Sequence, residues 1–305
     1  MSDNNTEHPR ETDIRALFQK LLNTHGHPFQ HTVIRRAHDL EETGASRWKF
    51  VAWEFPVEVQ GRNTRIDFIL SHLRHDGPNG FLVAECKRAH PSFSNWCFAT
   101  APYVMRGRRS AELLFEGAKR EDRDLFTGVQ ILPTSESIYH IPLEVKIKKG
   151  EIEKGEKDAT GGRGDIEEAA TQVTRGLNGL LQSLSRNINV LPTVPSGFFQ
   201  FPTFFVPVIF TTARLWITDA DLGAATLATG NVNLTDAKVV EKSWLWLQTH
   251  ISQSLKHSLE PGIATEDPPG GNDFARILRR EYARTIAIVS TVGINDFLGE
   301  DFLSF

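Results

Sequence analysis

Apolar residues recur with two different periods along this chain, and the change from one to the other marks its organisation. In residues 11–24 (ETDIRALFQKLLNT), Ile14, Leu17, Phe18, Leu21 and Leu22 fall on one face of a helix. His25, Gly26, His27 and Pro28 break it, and a second helix is predicted over about 30–43, ended by Gly44. The period then becomes two. Residues 48–59 (WKFVAWEFPVEV), 64–70 (TRIDFIL) and 81–87 (FLVAECK) read as three consecutive strands. GRN at 61–63 and HDGPNG at 75–80 supply turns, so the simplest arrangement is an antiparallel meander.

The pattern is less regular from 90 to 164. It holds an aromatic stretch (Phe93, Trp96, Phe98, Tyr103), a basic cluster, a predicted helix near 110–120, a strand near 138–147 and a Gly/Lys/Glu-rich run. This segment is expected to form an insertion lobe beside the core, ending in a flexible loop. Residues 165–186 (DIEEAATQVTRGLNGLLQSLSR) form a helix with Asp165 as N-cap, and Ile166, Ala169, Val173, Leu177, Leu180 and Leu181 as its buried stripe. The apolar run 203–211 (TFFVPVIFT) is a buried strand, with Trp216 to Asp221 as a continuation. A helix over 241–258 carries Trp244, Trp246 and Leu247; a loop at 266–271, a short basic helix from Phe274 to Tyr282 and a strand from Thr285 to Ser290 follow. The expected fold is α/β, a mixed central sheet flanked by helices. Its core is supplied by 11–89 and 165–305, with 1–10 as a disordered tail.

Composition changes this picture little. The chain has 305 residues, 40% hydrophobic and 24% charged, as an ordinary globular protein does. No apolar run approaches the ~20 residues of a membrane helix. The polar, acidic start (MSDNNTEHPRETD) lacks the features of a secretory signal, and two cysteines build no disulfide framework, so a reducing cytoplasm is expected. The net charge of −4 excludes binding to nucleic acid by bulk charge alone, but not a local basic groove.

The chemistry lies on the second and third strands. Residues two apart on a strand share a face, so Phe81, Val83, Glu85 and Lys87 line one side of the third strand and Leu82, Ala84 and Cys86 the other. Two charges thus end an apolar strand, and Asp67 interrupts the neighbouring one between Ile66 and Phe68. Buried charges are costly unless paired or bound to metal. Two carboxylates with a backbone carbonyl, that of Cys86, suit magnesium, which keeps several waters. Such an ion would polarise a scissile phosphate and acidify a bound water. Lys87 is then placed to orient that water, to help deprotonate it, or to stabilise the pentavalent phosphorane.

Asp67 in RIDFIL and Glu85-Cys86-Lys87 in FLVAECKR, with 17 residues between Asp67 and Glu85, resemble the motif of the PD-(D/E)xK nuclease superfamily. Gln172 in AATQVTRGL resembles the glutamine of its RecB-like branches, although Gly176 stands where a tyrosine usually follows, and Arg65-Ile66 precede Asp67 in place of the family proline. The resemblance covers roughly 48–87 and 165–211 and is interrupted by about 75 residues. It implies a restriction-endonuclease-like core with a large insertion after the third core strand. It implies catalytic Asp67, Glu85, Lys87 and Gln172, metal bound by Asp67, Glu85 and Cys86, and Mg2+ as cofactor with Mn2+ able to substitute. It further implies cleavage of nucleic acid, DNA before RNA, in restriction, phage defence or repair, with room for a homodimer or a protein partner.

Plainer readings stand beside these. The plainer reading of Glu85 and Lys87 is an ion pair at a sheet edge, against which the apolar strand before them and the placing of Asp67 both argue; that of Gln172 is a solvated helix residue. Glu54, and Glu41 or Glu42, are candidates for a further metal ligand but are read first as surface carboxylates, and the zinc spacing of His27 and His31 is weak across Pro28. Arg106, Arg108 and Arg109, with Lys119 and Arg120, are candidate phosphate contacts, as are Arg276, Arg279, Arg280 and Arg284; solvated basic helices would look the same. A noncatalytic nucleic-acid-binding or scaffold protein on the same fold is the alternative function, and an unrelated α/β protein with structural carboxylates a third.

Overall fold

The computed structural model describes residues 11–24, 26–59, 61–90, 93–101, 112–121, 124–145, 164–250 and 283–300. Three strands follow two helices as the pattern requires. Helices α1 (Glu11–Thr24) and α2 (His27–Glu42) precede β1 (Lys49–Val59), β2 (Arg62–His72) and β3 (Asn79–Lys87). Strands β1, β2 and β3 pair antiparallel in sequence order. Helix α1 ends at Thr24, where the break is expected, and α2 starts earlier than expected, with Pro28 in its first turn, where its missing N–H has no helical partner to lose.

Ten more strands and two more helices complete the described residues. Strands β4 (Asn95–Ala99), β5 (Glu112–Glu121), β6 (Asp124–Pro133), β7 (Ile138–Tyr139) and β8 (Ile141–Val145) lie before α3 (Asp165–Arg186). Strands β9 (Thr203–Thr211), β10 (Arg214–Thr218), β11 (Val239–Lys242), β12 (Trp244–His250) and β13 (Ala283–Ser290) and helix α4 (Ile294–Gly299) come after it. The fold is α/β. One sheet of nine strands runs β1-β2-β3-β9-β13-β12-β7, with β5 beside β9 and β6 beside β5; a second has the order β11-β10-β4-β8. The larger sheet is mixed, since β9 is parallel to β3 and to β13. No described helix is long and apolar enough to cross a membrane.

Each face of the larger sheet buries its own cluster. Phe81 and Val83 pack with the α3 stripe of Ile166, Ala169, Val173, Leu177, Leu180 and Leu181, and Trp96, Phe98 and Leu215 of the smaller sheet join them. Leu82, Ala84 and Cys86 pack on the opposite face with Val33, Ala37 and Leu40 of α2 and with Phe297 and Leu298 of α4. Helix α3 buries Ala170, Thr174 and Asn178 besides its stripe, more than a surface helix does. The apolar face of α1 forms as expected but stays open: Ile14, Leu17, Phe18, Leu21 and Leu22 are all exposed.

Residues 112–121 and 244–250, both read as helical, are strands; the part of the helix expected over 241–258 that follows His250 lies outside the described residues. Residues 112–121 are rich in helix formers, yet they form β5 between β6 and β9, because tertiary pairing outweighs propensity. Trp244 to Leu247 read as helical because the run is apolar throughout. In β12, Trp246 faces one cluster and Leu245 and Leu247 the other, as in a strand buried on both sides. The basic helix expected from Phe274 to Tyr282 lies outside the described residues. Trp216 does not prolong β9. The chain turns at Thr212 and Ala213, and β10 joins the smaller sheet parallel to β4.

The described part of 90–164 is not a lobe set apart from the core. Strands β4 and β8 help build the smaller sheet, and β5 docks on β9. One edge of β9 is divided: Thr203–Phe205 pair with β5, and Val208–Thr211 with β13. Pro207, which has no N–H to donate, occupies the gap between these partners. Beside the fork, buried Arg284 of β13 forms an ion pair with buried Glu116 of β5, so it is not a surface phosphate contact.

Gly176 and Gly179 let α3 approach the sheet closely. A Cβ at Gly176 would stand 2.9 Å from Ile66 Cγ1, and one at Gly179 would stand 2.7 Å from Val57 Cβ. No tyrosine could occupy position 176 at this separation. Helix propensity alone favours alanine over glycine by about 1 kcal/mol. Gly179→Ala should nevertheless lower stability by about 1 kcal/mol or more, because overpacking wins. A urea midpoint at or above the parent's would show that the helix can shift to make room.

Candidate active site

Strands β2 and β3 part company at Asp67. Their ladder runs from His72 opposite Gly80 to Phe68 opposite Ala84. Beyond it, Asp67 Oδ2 accepts the backbone N–H of Cys86 at 2.7 Å, a side chain in place of a main-chain partner. The Asp67 carbonyl accepts Gln30 Nε2 from α2, also at 2.7 Å. Ile66 belongs to the α3-side cluster and Phe68 to the α2-side cluster, so the strand's alternation breaks between them. Asp67 thus sits where two strands diverge.

The neighbouring strand is irregular at the same level. The register pairs Trp53 with Phe68 and Phe55 with Ile66, which sets Glu54 across from Asp67. Glu54 has φ +46°, in the left-handed region that costs a non-glycine residue on the order of 1 kcal/mol or more. Its carboxylate accepts Gln30 Nε2 at 3.2 Å and Arg65 Nη1 at 3.3 Å, and lies 3.8 Å from His27 Nδ1. Gln30, fully buried, therefore ties α2 to both Asp67 and Glu54. Glu54, read from sequence as a surface residue, is largely buried and belongs to this constellation.

Glu85 and Lys87 follow Phe81 and Val83 on the α3 side. Burial pushes the Glu85 carboxyl up to about 9, with the charge of Asp67 adding and that of Lys87 opposing. Burial likewise pushes Asp67 up to about 6; the Cys86 N–H pulls it back, Glu54 adds, and His27 opposes. Of the surrounding charges, Asp67 has the largest effect on Glu85. Lys87 Nζ donates to Glu168 Oε2 at 2.8 Å and lies 3.3 Å from Asp165 Oδ1, both in the first turn of α3. Burial alone would lower the Lys87 ammonium, but Glu168 and Asp165 outweigh it and hold its pKa above the ordinary value.

The start of α3 is capped from a distance. Gly164, not Asp165, is its N-cap and contributes no side chain. Glu144 of β8 accepts the Ile166 N–H at 2.8 Å instead, satisfying an otherwise orphaned helix donor. This strand of the 90–164 segment therefore helps fix the helix that carries the partners of Lys87.

The structure thus brings Asp67, Glu85 and Cys86 together and places Lys87 beside them, its ammonium bonded to α3. Burial raises the Cys86 thiol well above its usual range, with Asp67 and Glu85 adding, so only its backbone is available for chemistry. Gln172 is half-buried, one helical turn beyond Glu168. Arg106, Arg108 and Arg109 lie outside the described residues. His27 engages Gln30 and Glu54, and no group of three or more His, Cys, Asp or Glu among the described residues is arranged to hold a metal. Gln30, Glu168 and Glu144 are missed from sequence, and Glu54 is named there only as a secondary metal-ligand candidate. Only Glu168 left a trace there, four residues before Gln172 and on the same helical face. Comparison with family models, curated proteins and solved structures finds no match.

If these residues form the metal-dependent centre that the sequence resembles, Gln172→Ala should slow its reaction by about 10- to 100-fold with little change in stability, the scale seen for outer partners of metal sites. Rates at saturating magnesium decide it; a wild-type rate would make Gln172 a solvated helix residue.

Proposed function

We propose that this chain is a magnesium-dependent nuclease with a restriction-endonuclease-like core, cleaving phosphodiester bonds in nucleic acid, DNA first. The observation that carries the reading is the pair of buried carboxylates, Asp67 and Glu85, where β2 and β3 diverge: burial disfavours ionisation of both, and the charge of Asp67 further opposes that of Glu85. Such a pair is an unfavourable structural element and a favourable cation site. The donor set fits magnesium: Asp67, Glu85 and the Cys86 carbonyl leave most of the coordination to water, as this ion prefers. A bound magnesium would supply charge to polarise the phosphate and to acidify a water.

The protein's own groups do the rest. Gln30 and the Cys86 N–H orient Asp67 through its carbonyl and its carboxylate. Glu168 and Asp165 keep Lys87 an ammonium, which suits a donor to the developing phosphorane or to the attacking water, not a base. The reading is tested by incubating the protein with plasmid, single-stranded DNA and RNA, in magnesium, in manganese and in EDTA. Cleavage should need either metal and vanish in Asp67→Asn. Binding without any cleavage would favour the noncatalytic alternative.

A further inference from the structure

Of the six tryptophans, five are buried or half-buried, and only Trp53 is exposed, at 53%. It stands on β1, the outermost strand beside β2, one residue before the left-handed Glu54. Its ring lies 5.4 Å from that of His31, tilted by 53°. His31 is exposed and follows Gln30 in α2. Trp53 and His31 are thus the immediate chain neighbours of the two residues, Glu54 and Gln30, that bracket Asp67. The side chains of Arg65 and His27, each reaching Glu54, are 69% and 60% exposed beside them.

We infer that Trp53, braced by His31, is a stacking platform for an unpaired nucleobase, so that the substrate is single-stranded nucleic acid entering across β1. An exposed indole is idle as core, and His31 covers only part of it. The flat face left to solvent matches a base, and the exposed Arg65 and His27 side chains, both at the carboxylate of the next residue, Glu54, match a neighbouring phosphate. A base inside a duplex already has both faces stacked and cannot meet the indole without being flipped. Trp53 precedes Glu54, the left-handed residue that the β1–β2 register sets across from Asp67, so the platform lies beside the candidate site. This inference rests on the nuclease reading for its biological sense, but the binding it asserts does not depend on cleavage.

The test uses the full chain carrying Asp67→Asn, so that nothing is cut. A fluorescein-labelled single-stranded oligonucleotide, as DNA and as RNA, and the blunt duplex of the same sequence are titrated by anisotropy. The single strands should bind more tightly than the duplex and should quench tryptophan emission. Adding Trp53→Ala should weaken single-strand binding about tenfold and remove most of the quench, the scale of one base–aromatic stack, while Trp53→Phe keeps most of the affinity. DNA and RNA should behave alike if the base alone is read. Preference for the duplex, or Trp53→Ala binding as tightly as its parent, overturns the inference. The metal-dependent cleavage assay on the parent chain reports separately on the nuclease reading.

Discussion

Lys87→Ala should lower cleavage by roughly a hundred- to a thousandfold or more while the fold survives, the range found when a donor to transition-state charge is removed. The fold should survive because Lys87 is bonded at the periphery of the core. Its partners Glu168 and Asp165 keep contact with water and lie in the first turn of α3, where the helix dipole favours negative charge. Substrate binding should change little, since the ammonium acts on charge that develops during the reaction. Single-turnover rates together with circular dichroism check both halves. A wild-type rate in a preparation free of contaminating nuclease would remove Lys87 from the mechanism.

Glu85→Gln should abolish cleavage and yet raise the melting temperature of the metal-free protein by several degrees at alkaline pH. The folded-state value of Glu85 is about 9 against an ordinary 4.5, so the folded protein holds this proton more tightly than the unfolded chain. Its stability contribution is full below about 4.5 and is lost as pH rises through the window to about 9. The loss is up to about 1.4 kcal/mol per pH unit. Asp67 acts with the same sign over a narrower window, from 3.8 to about 6. Melts in EDTA across these windows should fall with pH in the parent and flatten in Glu85→Gln. Magnesium should restore the parent at high pH, because an ion that binds only the folded state stabilises it. A flat parent profile would mean that the two carboxylates do not share a buried site.

Much of this arrangement is legible in the chain, and the part that is not has a common cause. The apolar strand patterns of β1, β2 and β3 and period 3.6 in α3 reflect burial, which a local pattern records. Asp67 and Glu85 stand out because they interrupt such patterns. The identity of a sheet partner leaves no local trace. Hence β5 reads as a helix, β10 reads as the tail of β9, and β4 and β8 give no sign that they share a sheet with β10 and β11. The partners of the site are hidden in the same way. Gln30 is one polar residue on an amphipathic helix, and nothing near it in sequence announces Asp67, 37 residues away. The sequence offers Asp67 and Glu85 as neighbours of Lys87, but its ammonium bonds Glu168, 81 residues on in α3.

The irregularity of β1 has a consequence for solubility. A nine-stranded sheet ends in rows of unpaired backbone groups, and a long, straight edge invites a strand from another molecule. Here β1 carries a bulge between Phe50 and Ala52, a left-handed residue at Glu54 and a proline at 56. No run of its backbone can therefore template an incoming strand for long. At the other end of the path, β7 is only two residues. The distortion that sets Glu54 opposite Asp67 also guards this edge against edge-to-edge pairing, and straightening β1 to relieve the strain would open a surface for it.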